Sequence, residues 1–248
     1  MTPALALFTM SLRQALPRRR TLLLALLELA PAAIYLVSTT NRTEEFALQG
    51  ASQVGGSILF SLVLPVVAIV IAAGVLGTER RDQTLSFIAL RPIPRLAIAG
   101  AKVGAAIAAA FALNAIGAIA LATSHAIRFG DPQLYVGLVV GVFIATVAYA
   151  AVFVPLGFLT DRAVIVGMAY LLVFENGIAY ALPGLASLSP WRLGMAAFGA
   201  LATEAAIYTT DFTGSLELSV SQSAVTAVLF LVLGIAATTI LLRTRDLT

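Results

Sequence analysis

Apolar residues in this chain come in long unbroken runs, and the polar residues are gathered into short stretches between them. Six runs stand out, at residues 21–40, 57–76, 96–123, 134–159, 163–182 and 223–242. At about 1.5 Å of rise per helical residue, 20 residues cross a hydrocarbon core of roughly 30 Å. Backbone polar groups inside lipid must be satisfied within the segment, so each run predicts a helix. The expected fold is all-α: one polytopic transmembrane domain over 1–248, with six transmembrane helices.

The shorter stretches add detail. Within 4–17, Leu5, Phe8, Leu12 and Leu16 share one helical face, with Thr9, Arg13 and Gln14 away from it, which predicts a helix lying in the membrane interface. Pro17 and the Arg18-Arg19-Arg20 triplet then turn the chain into the first span. Residues 41–53 and 125–133 read as outer loops, the second holding His125, and Thr160-Asp161-Arg162 reads as a tight turn. Residues 185–222 mix apolar patches with Glu204, Asp211 and Glu217, too interrupted for another span. They predict an outer re-entrant segment of short helices. Pro65 predicts a kink in span two. Gly100 with Gly104, Ala105 with Ala109, and Gly137 with Gly141 predict faces where helices approach closely.

The stretch 77–102 carries more charge than any other: Glu79, Arg80, Arg81, Asp82, Arg91, Arg95 and Lys102. Thr78 is a suitable N-cap, and Leu85, Ile88 and Ala89 recur at helical spacing, predicting a short amphipathic helix over 78–90. It is expected to end there because Arg91 precedes Pro92, and a residue before proline is pushed out of helical torsions. Lys102, near the start of span three, is expected to snorkel to the headgroups, and Glu79 to pair with a nearby arginine at that level.

Composition agrees. The chain is 60% hydrophobic with a mean hydropathy of +1.00, beyond the range of soluble domains. Net charge is only +3, and the arginines sit beside apolar runs rather than on one continuous face, which argues against a nucleic-acid partner. Twelve of the fifteen Lys and Arg residues fall on one side of the predicted topology, with Arg42, Arg128 and Arg192 on the other. The positive-inside rule then places both termini in the cytoplasm. Nothing near the N-terminus reads as a cleavable signal, so the first span is expected to be kept.

Catalysis finds little support. The only histidine, His125, is read in an outer loop and there is no cysteine, which argues against histidine-based zinc motifs, serine-histidine triads and thiolate chemistry, and no metal site is expected. Gly100-Ala101-Lys102 lacks the upstream glycine and the following hydroxyl of a phosphate loop, so the chain does not hydrolyse ATP by itself. Glu28 and Glu175 are the informative residues, since a carboxylate within a span costs about 2.5 to 3.5 kcal/mol even on lenient insertion scales. With Asn114 and Asn176 they are candidates for lining a substrate pathway. The alternative is a hydrogen-bonded structural carboxyl between helices, and for Glu28 that reading is equally good.

The order Glu79, Thr84-Leu85, Leu90, Pro92, Arg95, Lys102 resembles the loop after the second span of export-type ABC transporter permeases of the type-2 family, with Gln83 where the family usually has glycine. The six-span plan is similar along the whole chain. The resemblance implies that 78–90 is a coupling helix docking on an ATPase, with Glu79, Arg80, Arg81, Leu85, Phe87, Ile88 and Arg91 as its contact set. It implies two copies of a separately encoded ATPase that binds ATP and magnesium, no cofactor in this chain, and a second permease copy. It also implies a capping pair of outer helices and a pathway lined by spans one, two and five. The expected function is ATP-driven export of a lipophilic or amphipathic substrate (drug, peptide or lipid) across a bacterial inner membrane. Two other readings keep the same sequence appearance: an ATP-independent transporter, and a permease-like subunit serving maturation of an extracytoplasmic metalloenzyme.

Overall fold

The computed structural model describes residues 3–40, 43–83, 93–130, 132–178, 183–203, 205–213 and 218–244; the side chains of 44, 45, 176, 178, 183, 184, 210 and 211 lie outside the description. The described residues are helical throughout, with no strand among them. Five helical stretches are long and apolar enough to cross a membrane: Arg18–Ser38, Phe46–Arg81, Arg95–Phe129, Leu134–Leu159 and Val220–Thr244. The fifth expected span, 163–182, ends outside the described residues; its described part includes a shorter apolar helix, Ala163–Glu175.

Helix α1 (Pro3–Ala15) buries Leu7, Ser11 and Ala15, a stripe of four-residue spacing, and lies against span three. Small residues on that stripe let it approach closely, and Phe8 covers Gly104. The helix is thus seated on protein, and of the face expected to enter lipid only Leu5 stays largely exposed. Span one is broken into α2 (Arg18–Glu28) and α3 (Ala30–Ser38). Pro31 has no N–H and its ring crowds the carbonyl four residues back, so the chain tightens at Leu29, whose N–H bonds to Leu26 O at 3.2 Å.

The first outer loop is largely helix. Residues Glu44–Val54 form α4, which runs through a π-helical stretch, Gly55–Val63, into α5 (Leu64–Arg81). Ala47, Ala51 and Val54 repeat at helical spacing and are buried, which carries the helix past the end of the apolar run. The wide π turn lies immediately before Pro65, where it relieves the clash a proline makes with the preceding turn. At its other end α5 continues to Arg81, so Thr78 is inside a helix rather than capping one; its carbonyl accepts the Asp82 N–H at 2.9 Å. The helix stops at Gln83, whose φ of +55° is left-handed. That conformation costs a non-glycine residue about 1–2 kcal/mol, and it occurs at the position where the resembling family carries glycine.

Helix α6 (Arg95–Phe129) is closed by Gly130 in a left-handed conformation. His125 therefore lies in a helix, buried, and not in an outer loop. Helix α7 (Leu134–Leu159) is the hub, packing on α5, α6, α9 (Pro190–Leu201) and α11 (Val220–Thr244). Between them lie α8 (Ala163–Tyr170), π-helical Leu171–Ile178, 3₁₀-helical Pro183–Leu188 and, after α9, α10 (Ala206–Thr213). Gly137 and Gly141 form the close face their spacing predicts, under Phe198 and Gly194 of α9; a Cβ on Gly141 would stand 2.5 Å from the Gly194 carbonyl. Gly100, by contrast, has nothing near it, so the Gly100/Gly104 pair is not such a seat. Helix α9 is buried at every position from Pro190 to Gly199, inside the bundle rather than resting on its surface.

Candidate functional site

Charged side chains gather at the end of the bundle where α5 leaves and α6 enters. Lys102 on α6 is 1% exposed, and its Nζ donates to Glu79 Oε1 on α5. This corrects two expectations: Lys102 does not snorkel, and Glu79 is paired with a lysine in a buried contact. An ammonium shielded from water is tolerated only if it meets a compensating group, which the Glu79 carboxylate supplies. One residue on, Arg80 donates to the Phe158 carbonyl at the end of α7 at 2.8 Å and stands 4.0 Å from Asp161. That outer pair is exposed and contributes little stability. Arg81 is exposed. Beside these residues a cavity of about 260 Å³ opens between α1 and α5, lined by Gln14, Ala15, Gly74, Val75, Thr78, Glu79 and Asp82. Arg20 touches two of its lining residues, donating to the Ala15 carbonyl and lying over Gly74. Leu85, Phe87, Ile88 and Arg91 of the expected contact set lie outside the described residues, as does most of the expected 78–90 helix.

The four pathway candidates do not form one cluster. Asn114 on α6 is buried and donates to Thr146 Oγ1 on α7 at 2.9 Å. One turn further along α7, Tyr149 donates to Glu175 Oε1 at 3.1 Å. Ser189, at the entry to α9, donates to the other oxygen, Glu175 Oε2. Tyr170 and Arg192 complete the surroundings, with Arg192 also lying over the Trp191 ring, 5.2 Å from its centroid. Glu175 therefore ties the fifth span, α7 and α9 together. It sits in the π-helical stretch, whose widened turn offers side chains in directions an α-helix does not. The side chain of Asn176 lies outside the described residues.

Glu28 is arranged otherwise. It is fully buried at the break of span one, and neither carboxyl oxygen has a hydrogen-bond partner among the described residues. Its carboxyl rests on Gly117 of α6, where any Cβ would collide with Oε2 and stand 2.9 Å from the Glu28 carbonyl and from a Leu59 methyl. At the opposite end of the bundle from Lys102, Tyr35 OH meets His125 Nδ1 at 2.8 Å, and Arg128 donates to Thr39 Oγ1 at 2.8 Å, joining spans one and three.

Sequence reasoning missed several of these residues. Tyr149, Thr146, Ser189 and Arg192 carry no motif; the signal that might have exposed them is that a carboxylate in a span requires donors, and hydroxyl residues on neighbouring helices are the available ones. Among the described residues no cluster of His, Asp and Glu has the makeup of a metal site.

A helical bundle with several apolar crossings, a buried ion pair at one end and buried carboxyls along the spans defines a polytopic membrane protein of the transport class. The family model described as ABC-2 family transporter protein matches residues 16–182, more than half of the chain, and the chain belongs to that family. It is an ABC-2 type permease, a membrane transport component of an ABC transporter system. Comparison with curated proteins and with solved structures returned no match.

Proposed function

We propose that this permease is the membrane subunit of an ATP-driven exporter, moving a lipophilic or amphipathic substrate out of the cytoplasm or the inner leaflet. The observation that carries this reading is the end of the bundle where α5 and α6 meet. There two of the longest helices, Phe46–Arg81 and Arg95–Phe129, flank residues 84–92, with exposed Arg81 at their edge. Each is about 50 Å long at 1.5 Å per residue, longer than the hydrocarbon core, so both reach past the membrane surface. An ATPase gripping the segment between them would act on both. We place this end in the cytoplasm on the asymmetry of Lys and Arg, in a bacterial inner membrane. Two ATPase copies, holding ATP and magnesium, and a second copy of this chain complete the working unit.

In this reading 84–92 forms the coupling contact, with Leu85, Phe87, Ile88 and Arg91 meeting the ATPase beside Arg80 and Arg81. Nucleotide-driven closure of the ATPase pair tilts spans two and three and opens the outer side. Glu28, Asn114, Glu175 and Asn176 mark the spans along which cargo passes. The test is to purify the chain from membranes, identify the ATPase retained with it, reconstitute both in liposomes and screen compounds for stimulated hydrolysis. ATP-dependent accumulation of a stimulating amphipath supports the reading. Transport with no nucleotide-consuming partner overturns it. Glu28→Gln and Glu175→Gln, assayed in the folded complex, test the pathway: unchanged transport of every stimulating compound in both removes these residues from it.

A further inference from the structure

We propose that Glu79 and Lys102 are positioning residues that clamp the two roots of the coupling segment into a single rigid lever. Glu79 precedes residues 84–92 and Lys102 follows them, so their contact closes the base of that excursion. Both side chains are shielded, at 5% and 1% exposed, so the pair is not loosened by water as a surface bridge would be. It is directional as well, since a lysine ammonium held on a carboxylate sets how α5 and α6 are rotated about their axes, which alanine contacts between them do not.

The clamp extends to a third helix. Arg80, next to Glu79, is bonded to the last turn of α7 through the Phe158 carbonyl, and Gly157 lies directly on the Ala73 backbone of α5, leaving no room for a Cβ. Beyond Arg81 the α-helix stops at left-handed Gln83, so the rigid part of span two ends one turn past the pair. A push delivered on residues 84–92 meets the clamp first. With the roots fastened, spans two and three tilt together and carry span four. With the roots free, the same push turns one helix against the other and is lost as local rearrangement. Glu79, one of the residues the family resemblance assigns to the ATPase contact, thus acts inside the permease.

This inference rests on the pump reading, and its test separates the two. The chain contains no cysteine, so thiols can be introduced cleanly. In the chain carrying both Glu79→Cys and Lys102→Cys, purified alone, a short bis-methanethiosulfonate reagent entering through the adjacent cavity is expected to bridge the pair within one molecule. Bridging in less than a tenth of the molecules overturns the apposition, whether or not the chain pumps. The reconstituted complex is then assayed for cargo moved per ATP hydrolysed. Lys102→Met is expected to lower that ratio tenfold or more while hydrolysis continues, and the exchange Glu79→Lys with Lys102→Glu to return it to within threefold of the unaltered complex. The unbridged double-thiol variant is expected to be as uncoupled as Lys102→Met, and bridging to restore the ratio, reversibly on reduction. A ratio unchanged in Lys102→Met, or a bridge that fails to restore it, overturns the clamp. A complex that moves cargo without ATP before any substitution overturns the pump reading instead.

Discussion

Glu28 and Glu175 are the same side chain placed inside the same membrane, and they are held in opposite ways. Glu175 is surrounded by hydroxyls, with Tyr149 and Ser189 donating to its two oxygens and Arg192 near by. Glu28 is as deeply buried and has no donor among the described residues, resting on Gly117. The first arrangement fastens helices together, since removing the carboxyl strands several donors at once. The second does no fastening, since nothing is lost to its neighbours when it goes. A carboxylate in a span is therefore informative only together with its donors: at Glu175 the cost of burial is offset by a lock between helices, and at Glu28 it is left open.

The sharpest way to break this contrast is Glu175→Ala. It leaves the Tyr149 and Ser189 hydroxyls short of an acceptor and takes a carboxyl away from the neighbourhood of Arg192, and should destabilise the protein by about 3–5 kcal/mol, the range for breaking a buried charged contact. The measurement is thermal or denaturant unfolding of purified protein in detergent; a loss below about 1 kcal/mol would show that the cluster does not fasten the helices. Next in size is Gly117→Ala. The new Cβ overlaps the Glu28 carboxyl, and overpacking of this kind costs about 1–3 kcal/mol. Combined with Glu28→Ala, part of that loss should return, because the carboxyl is one of three groups struck, the others being the Glu28 backbone carbonyl and a Leu59 methyl.

Smaller still is Ser189→Ala, which removes one donor and leaves Tyr149 in place. About 1 kcal/mol is expected from the same unfolding measurement. Last comes Glu28→Met, of similar volume and without polar atoms, which should lie within about 1 kcal/mol of the unaltered protein, on the stabilising side. A loss as large as that of Glu175→Ala would place a donor on Glu28 and erase the distinction.

Much of this architecture was legible in the chain. Five of the six apolar runs became helical stretches close to their expected limits or longer, the first of them broken at Leu29, because a run that must cross lipid has no other way to satisfy its backbone. What hydropathy does not report is where a helix ends once it has left the lipid. Residues Glu44–Val54 continue span two although they are polar, and His125 belongs to α6, because Ala47, Ala51 and Tyr35 provide protein rather than lipid to pack against. The pairing of Glu79 with Lys102 joins residues 23 positions apart, too far for any local periodicity to register. Glu79 and Lys102 were read as lying at the headgroup level for that reason, whereas both are buried; of the other charged residues described before the break at Gln83, Arg81 and Asp82 are exposed and Arg80 partly so. The candidate carboxyls themselves were legible, as residues that hydrocarbon does not tolerate without compensation; which of them had partners depended on hydroxyls supplied by other helices.

Helix α9 has a consequence for how the molecule is made. Its 12 residues cover about 18 Å, too little to cross the bilayer, and they include Arg192, so insertion machinery that senses long greasy segments has no reason to admit it. Its berth consists of Gly137 and Gly141 on one neighbour and Phe60 on another, and does not exist until those neighbours are side by side. Biogenesis is accordingly expected to run in two acts: the long crossings enter the bilayer as they are synthesised, and α9 settles between them afterwards, bringing Ser189 to Glu175.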